Sequence, residues 1–210
     1  MNMLPFAAEE IRIFSHQGLH EFLLQHADAR DTVHITDSDV ACLPFLRERA
    51  GNHLHLQFDD VATASSAFRS PSLADVQRAI DWSADKRHLA VACHAGVSRS
   101  SALAYVIACT RLAPADAIRV LDPARHAPNS LVVTLGSRVL NNPGVLKAFA
   151  DFQADQRPLL LKNLWVSVVQ HNGQIDDESA AIQVRQRDFV QVAVQAGFTQ
   201  DEVARFLQGR

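Results

Sequence analysis

Residues 91–107 read VACHAGVSRSSALAYVI. An apolar run ends at Cys93, five residues intervene before Arg99, serines follow, and apolar residues then return at helical spacing. The run over 88–93 is too short for periodicity alone to separate a strand from a buried helical turn. Its length and its exit into AGVS favour a buried parallel strand. From residue 100 onward the pattern is helical. The stretch therefore reads as strand end, tight loop and helix start. In that arrangement the backbone N–H groups of residues 94–100 curl around a point above the Cys93 sulfur, at a helix N-terminus carrying roughly half a positive charge. That is a cradle for an anion.

The residue types suit such a cradle. A helix start and a nearby guanidinium favour the thiolate, the form of sulfur that attacks. Arg99 can present two parallel N–H donors to two oxygens of a tetrahedral phosphate, a fit that lysine lacks. Gly96 removes a Cβ where the loop must bend. Ser98 and Ser100 add hydroxyl donors, with Ser100 placed to stabilise a departing thiolate. A lone cysteine after an apolar strand would read as a small buried hydrophobe. The arginine six positions on, the intervening glycine, the serines and the helix behind make it a nucleophile for phosphorus.

Working outward, residues 10–15 alternate as a strand, 16–26 form a helical stripe, and 32–36 and 53–58 read as further strands. TDSDV turns the chain after the second strand, 40–50 is helical or irregular, and 59–70 is a loop. Pro71 is expected to open a helix through Trp82 with Ser70 as N-cap. Helices follow over 100–112, 114–121, 130–140 and 145–153. The order is α/β. From about residue 151 the pattern becomes a separate helical extension. It comprises a helix begun by Pro158, a polar break at HNGQIDDES, and a final pair around Gly197 with Thr199 to Glu202 as a capping box. The expected division is a domain over 1–150 and an extension of unknown role over 151–210.

Composition narrows the partners. The 210-residue chain has 20 Lys+Arg against 23 Asp+Glu, a formal charge of -3, with 48% hydrophobic residues. It offers neither a basic field for nucleic acid nor a polybasic patch for lipid. Acidic residues also outnumber basic ones after residue 150, against a DNA-binding helix pair. MNMLPFAAEE has no basic n-region, and no apolar run is long enough to span a membrane. Three widely spaced cysteines suit a reducing compartment. The expectation is a cytoplasmic protein, with homodimerisation through the C-terminal helices as one use for them. His53 and His55 share a strand face but lack a third ligand at recognisable spacing, so no metal is expected.

CHAGVSRSS resembles the C-x5-R-[ST] signature of the cysteine-dependent protein tyrosine and dual-specificity phosphatases. In that superfamily a general-acid aspartate lies on a separate upstream loop, and LQFDDV sets Asp60 33 positions before Cys93. The order of strand, acidic loop, proline-started helix, strand and phosphate loop matches from about residue 10 to about residue 150. HAPN at 126–129 is similar to an element of the small bacterial dual-specificity-like branch. The resemblance implies a phosphotyrosine-phosphatase-like central mixed sheet flanked by helices, with a C-terminal helical extension. It implies Cys93 as nucleophile, Asp60 as general acid and Arg99 as phosphate clamp, with His94, Ala95, Gly96, Val97, Ser98 and Ser100 binding the substrate phosphate. The chemistry is phosphomonoester hydrolysis through a phosphocysteine, on phosphotyrosine or phosphoserine/phosphothreonine in proteins or on a small phosphomonoester, with no cofactor.

One position departs from the family, which has histidine before the cysteine where this chain has Ala92. Asp59 stands beside Asp60 as a rival acid. On a strand the two would face opposite sides. Asn129 reads either as a bridge between acid loop and phosphate loop or as a helix N-cap. Two other functions use similar residues: a phosphate-binding module without catalysis, and a rhodanese-like sulfurtransferase, whose cysteine loop has no use for Asp60.

Overall fold

The computed structural model describes residues 10–26, 31–47, 53–63, 66–171 and 178–208. Strand β1 (Ile11–Ser15) leads into α1 (His16–Gln25), followed by β2 (Asp31–Thr36), a short α2 (Pro44–Arg47), β3 (His53–Gln57), α3 (Leu73–Ser83), β4 (Leu89–Cys93) and α4 (Arg99–Ala108). All five residues of β4 are buried. A strand with no polar alternation needs cover on both faces, and β4 has it. It lies inside a four-stranded sheet of order β1-β4-β2-β3. The α/β class is as expected. Where a mixed sheet was expected, every pairing among the described residues is parallel. Each strand after β1 is reached through a crossover rather than a hairpin, which returns the chain to the same end of the sheet.

The two faces of the sheet differ in chemistry. Ile11, Val33, Ile35, Leu54, Leu56, Leu89, Val91 and Cys93 point to one side and join the main core with Val76 and Ala79 of α3 and all of α4 from Ala102 to Ala108. The other side carries Ala90 and Ala92, packed with Leu19 and Leu23 of α1 and Leu46 of α2. Thr32, His34 and Thr36 lie on that second side and are fully buried. His53 and His55 share it and are half-buried. Parallel pairing sets His34 beside His55 on one flank and beside Ala92 on the other.

Helix ends follow local chemistry. Ser15 caps α1 by accepting from the Gly18 amide. The expected start of α3 at Pro71 moves by two residues, because Ser72 and Asp75 form a capping box that satisfies two orphan amides reciprocally. The expected helix over 114–121 splits into α5 (Pro114–Ala117) and a 3-10 turn (Ile118–Val120). Asn129 caps α6 (Ser130–Val139), accepting from the Val132 amide. Gly136 lets α6 approach α4 closely, since a Cβ there would stand 2.3 Å from Val106 Cγ2.

The expected helix beginning at Pro158 is also corrected. Pro158 lies inside a continuous α7 (Gly144–His171), where it removes one intrahelical hydrogen bond without ending the helix. Two compact units are present, 1–152 and 153–210. Within the second, Leu161, Val168, Phe189, Ala193, Phe198 and Val203 form a small core from the end of α7, α8 (Glu178–Gln195) and α9 (Gln200–Gln208). The Thr199–Glu202 capping box is present, and Arg157 donates to both Glu202 oxygens. Most of the polar break at 171–179 lies outside the described residues. Among the described residues, no helix is long and apolar enough to cross a membrane.

Candidate active site

The site is built at the C-terminal end of β4. Cys93 closes the strand, residues 94–98 form the loop, and α4 begins at Arg99. Cys93 is 2% exposed, and its sulfur lies 3.1 Å from the Ser100 hydroxyl. Gly96 has φ 73°, in the left-handed region, and a Cβ there would meet the Ser15 amide nitrogen at 2.5 Å. Glycine is therefore required twice over, once for backbone conformation and once for the close approach of the loop to the corner between β1 and α1. The loop is braced from outside by amides of Ala127 and Asn129, which donate to the carbonyls of Val97 and Ser98. The Ser101 hydroxyl bonds the same two carbonyls from within. Among the described residues, no protein acceptor takes a hydrogen bond from the amides of His94, Ala95, Gly96, Val97 or Ser98. Those donors, with the start of α4 behind them, favour negative charge above the sulfur.

Arg99 is only 4% exposed, and its two ends do different things. Nη1 donates to Asp37 Oδ1 at 2.6 Å and to the Phe58 carbonyl at 2.8 Å. Nε has no hydrogen-bond partner although it is buried, and Asp60 Oδ2 stands 3.9 Å from it. One nitrogen thus anchors the guanidinium while Nε, buried on the side of Asp60, makes no hydrogen bond. The sequence reading missed Asp37. Its signal was its place: an acidic residue directly after a parallel strand, at the end of the sheet where α/β proteins bind ligands.

Asp59 and Asp60 face different surroundings. The Asp59 carboxylate accepts from the Ser38 amide and hydroxyl and from the Arg69 amide. The Ser38 bonds, backbone first, hold its carboxyl below the ordinary range. It ties the acid loop to the turn after β2. Asp60 instead faces the phosphate loop, with Oδ1 accepting from the Ser98 hydroxyl and from Asn129 Nδ2, both at 2.8 Å. Asn129 is both bridge and cap, since its Nδ2 also donates to the Val61 carbonyl while its Oδ1 caps α6. With Oδ1 receiving two donors, a proton carried by Asp60 belongs on Oδ2, the oxygen nearer Arg99.

The remaining expected residues line the same loop. His94 is exposed at its rim, edge-on to His16 with ring centroids 6.2 Å apart. His16 Nε2 lies 3.0 Å from the Ile35 carbonyl, and burial lowers its pKa from the ordinary histidine value. Ala95 and Val97 are exposed, and Ser98 is half-buried. Arg69 pairs with Asp75 at 3.4 Å. Beside the site, an open depression of about 640 Å³ is lined by Asp37, Asp39, Asp59, Asp60, Phe68 and Arg69 among others.

No family model matches the chain, and no curated protein matches it. Solved structures similar to it include the Cydia pomonella PTP-2 phosphatase, at 24% identity over 59% of this chain and 80% of that one, with a TM-score of 0.42. Another is PTPMT1 in complex with PI(5)P, at 14% identity over 71% of this chain and 94% of that one, with a TM-score of 0.41. These are distant likenesses, and the chemistry of the site stands on its own side chains.

Proposed function

We propose that the chain is a cysteine-dependent phosphomonoesterase of the protein tyrosine and dual-specificity phosphatase type. The observation that carries the reading is the pairing of unused donors around one sulfur. Among the described residues, the amides of 94–98 and the buried Arg99 Nε have no protein hydrogen-bond acceptor, and all belong to the segment from Cys93 to the start of α4. Three phosphate oxygens would satisfy them.

The step sequence follows from these positions. The Cys93 sulfur attacks phosphorus and the P–O bond to the alcohol or phenol breaks, leaving a phosphocysteine. Asp60 delivers the Oδ2 proton to the departing oxygen. Water then attacks phosphorus with Asp60 taking its proton, and the P–S bond breaks to release inorganic phosphate. Ser100, 3.1 Å from the sulfur, stabilises the thiolate as it leaves. Loop amides and Arg99 hold the equatorial oxygens throughout, a role for preorganised donors.

The substrate class is a phosphorylated protein side chain, phosphotyrosine first. The loop HAGVS carries no lysine and the neighbouring depression is rich in aspartate, surroundings poorly suited to a highly phosphorylated inositol headgroup. A rhodanese-like reaction gives no task to Asp60, which is nonetheless held over the loop by two hydrogen bonds.

The test compares wild type, Cys93→Ser and Asp60→Asn on aryl phosphates. Turnover should vanish in Cys93→Ser. Asp60→Asn should slow esters with poor leaving groups by roughly 10²–10⁴-fold, the usual range for general acid catalysis, and barely affect leaving groups that need no proton. Equal slowing of both ester types would remove Asp60 as the acid. Cysteine-independent turnover would overturn the whole reading, and absence of turnover would leave a binding module.

A further inference from the structure

On the sheet face opposite the main core, His34 of β2, His55 of β3 and Cys42 of the turn between β2 and α2 present one ligand atom each, all within 4.8 Å of one another. We propose that these three residues form a binding site for a single zinc ion, with a water completing the tetrahedron. The pattern is invisible in sequence because the ligands come from two strands and a loop. Parallel register places His34 opposite His55, and the half-buried Cys42 is carried in by the turn from Thr36 to α2.

Several independent features point to a cation rather than to a satisfied polar core. His34 is fully buried, yet neither ring nitrogen has a partner in hydrogen-bonding geometry, the Leu54 backbone giving it only weak polar company. A buried group in that state calls for a ligand. Its ring stacks on His55 with centroids 4.4 Å apart. His55 has its tautomer set by the surroundings. The Thr36 hydroxyl spends its one proton on the Val40 carbonyl at 2.8 Å, so at its 2.8 Å contact with His55 Nε2 it must accept. The proton then sits on Nε2 and the lone pair on Nδ1. A second residue that fixes the tautomer in this way is the usual companion of a metal-binding histidine. His53 Nε2 lies 3.8 Å from the Cys42 sulfur.

Imidazole and thiolate donors select zinc over magnesium or calcium. From Zn–N of about 2.0–2.1 Å and Zn–S of about 2.3 Å, donors of a tetrahedral site stand about 3.3–3.6 Å apart, so from separations of up to 4.8 Å the set closes by at most about 1.2–1.5 Å. Rotation of the Cys42 side chain, on a turn rather than a strand, and of the histidine rings would supply that movement. A bound ion would tie β2, β3 and the 37–42 turn together, and with them Asp37, the anchor of Arg99.

The test uses the full chain carrying Cys93→Ser, so that the reactive thiol cannot compete. Titration with Co²⁺ is expected to give tetrahedral visible bands and a thiolate-to-cobalt charge-transfer band, saturating at one ion per chain and bleached by Zn²⁺. Adding Cys42→Ser should abolish the charge-transfer band. Thr36→Val should keep the band but weaken affinity about 10- to 100-fold, as loss of an outer partner does. Absence of a saturable thiolate band overturns the proposal whatever the variants do. So does a band that persists in Cys42→Ser, or undiminished Co²⁺ affinity in a folded His34→Gln/His55→Gln double variant.

Discussion

Asp37 shows how a single side chain prepares the site. A buried guanidinium needs partners, and Asp37 with the Phe58 carbonyl occupies Nη1 so that Nε stays available. A hydrogen bond to a charged group contributes about 1.5–3 kcal/mol. Asp37→Asn is therefore expected to lower kcat/KM by roughly 10- to 100-fold, more through phosphate binding than through the proton-transfer step. An unchanged kcat/KM would mean that Arg99 needs no anchor. Cys93 and Arg99 could be proposed from spacing because CHAGVSRSS is local and its chemistry is carried by neighbours in sequence, whereas Asp60, 33 residues earlier, was singled out through the family resemblance. Asp37, Ser38 and Ser101 were not legible, since their meaning arises only when β2 is set beside β4 and the loop closes. Ala92 acquires a neighbour by the same route. Where the phosphatase family carries a histidine before the cysteine, this chain has alanine there and His34 beside it on the next strand.

At the scale of elements, the strands and most helices followed from periodicity, and the misses have local causes. Ser72 displaced Ser70 as the cap of α3 because Asp75 reciprocates its bond. Pro158 read as a helix start, but a long helix absorbs the loss of one bond. Gly136 sits where α6 meets Val106 of α4, and an added methyl has nowhere to go. Gly136→Ala should destabilise by about 1–3 kcal/mol as overpacking does, visible as a lower Tm. A Tm at or above wild type would mean the helices can separate freely. In the second unit, Arg157 and then Thr199 hold the Glu202 carboxyl down to about 2. A folded value below the unfolded one gives stability that is complete above pH about 4.5 and is lost as pH falls toward 2. Glu202→Gln should therefore melt earlier than wild type at pH 7 and 0.05 M salt, with the gap closing as the solution is acidified. A gap that widens in acid would reverse the assignment.

For the whole molecule, α/β class and a helical extension were readable from the order of patterns, whereas strand order and the all-parallel pairing were not. Nothing local in a strand records which strand it will lie beside. Charge at this scale bears on substrate choice. The formal charge is -3, and the carboxylates of Asp37, Asp39, Asp59 and Asp60 surround the depression next to the loop. A phosphotyrosine peptide is expected to show higher kcat/KM than a multiply phosphorylated inositol, whose extra anionic groups would face those carboxylates. The opposite ranking would move the substrate class to lipids or their headgroups. The most direct measurement of the central claim is a denaturing quench during steady-state turnover of a phosphotyrosine peptide, followed by mass spectrometry of the chain. The expected result is one phosphate on Cys93, absent from Cys93→Ser. Turnover with no covalent phosphate, or with phosphate on another residue, would contradict a cysteine nucleophile.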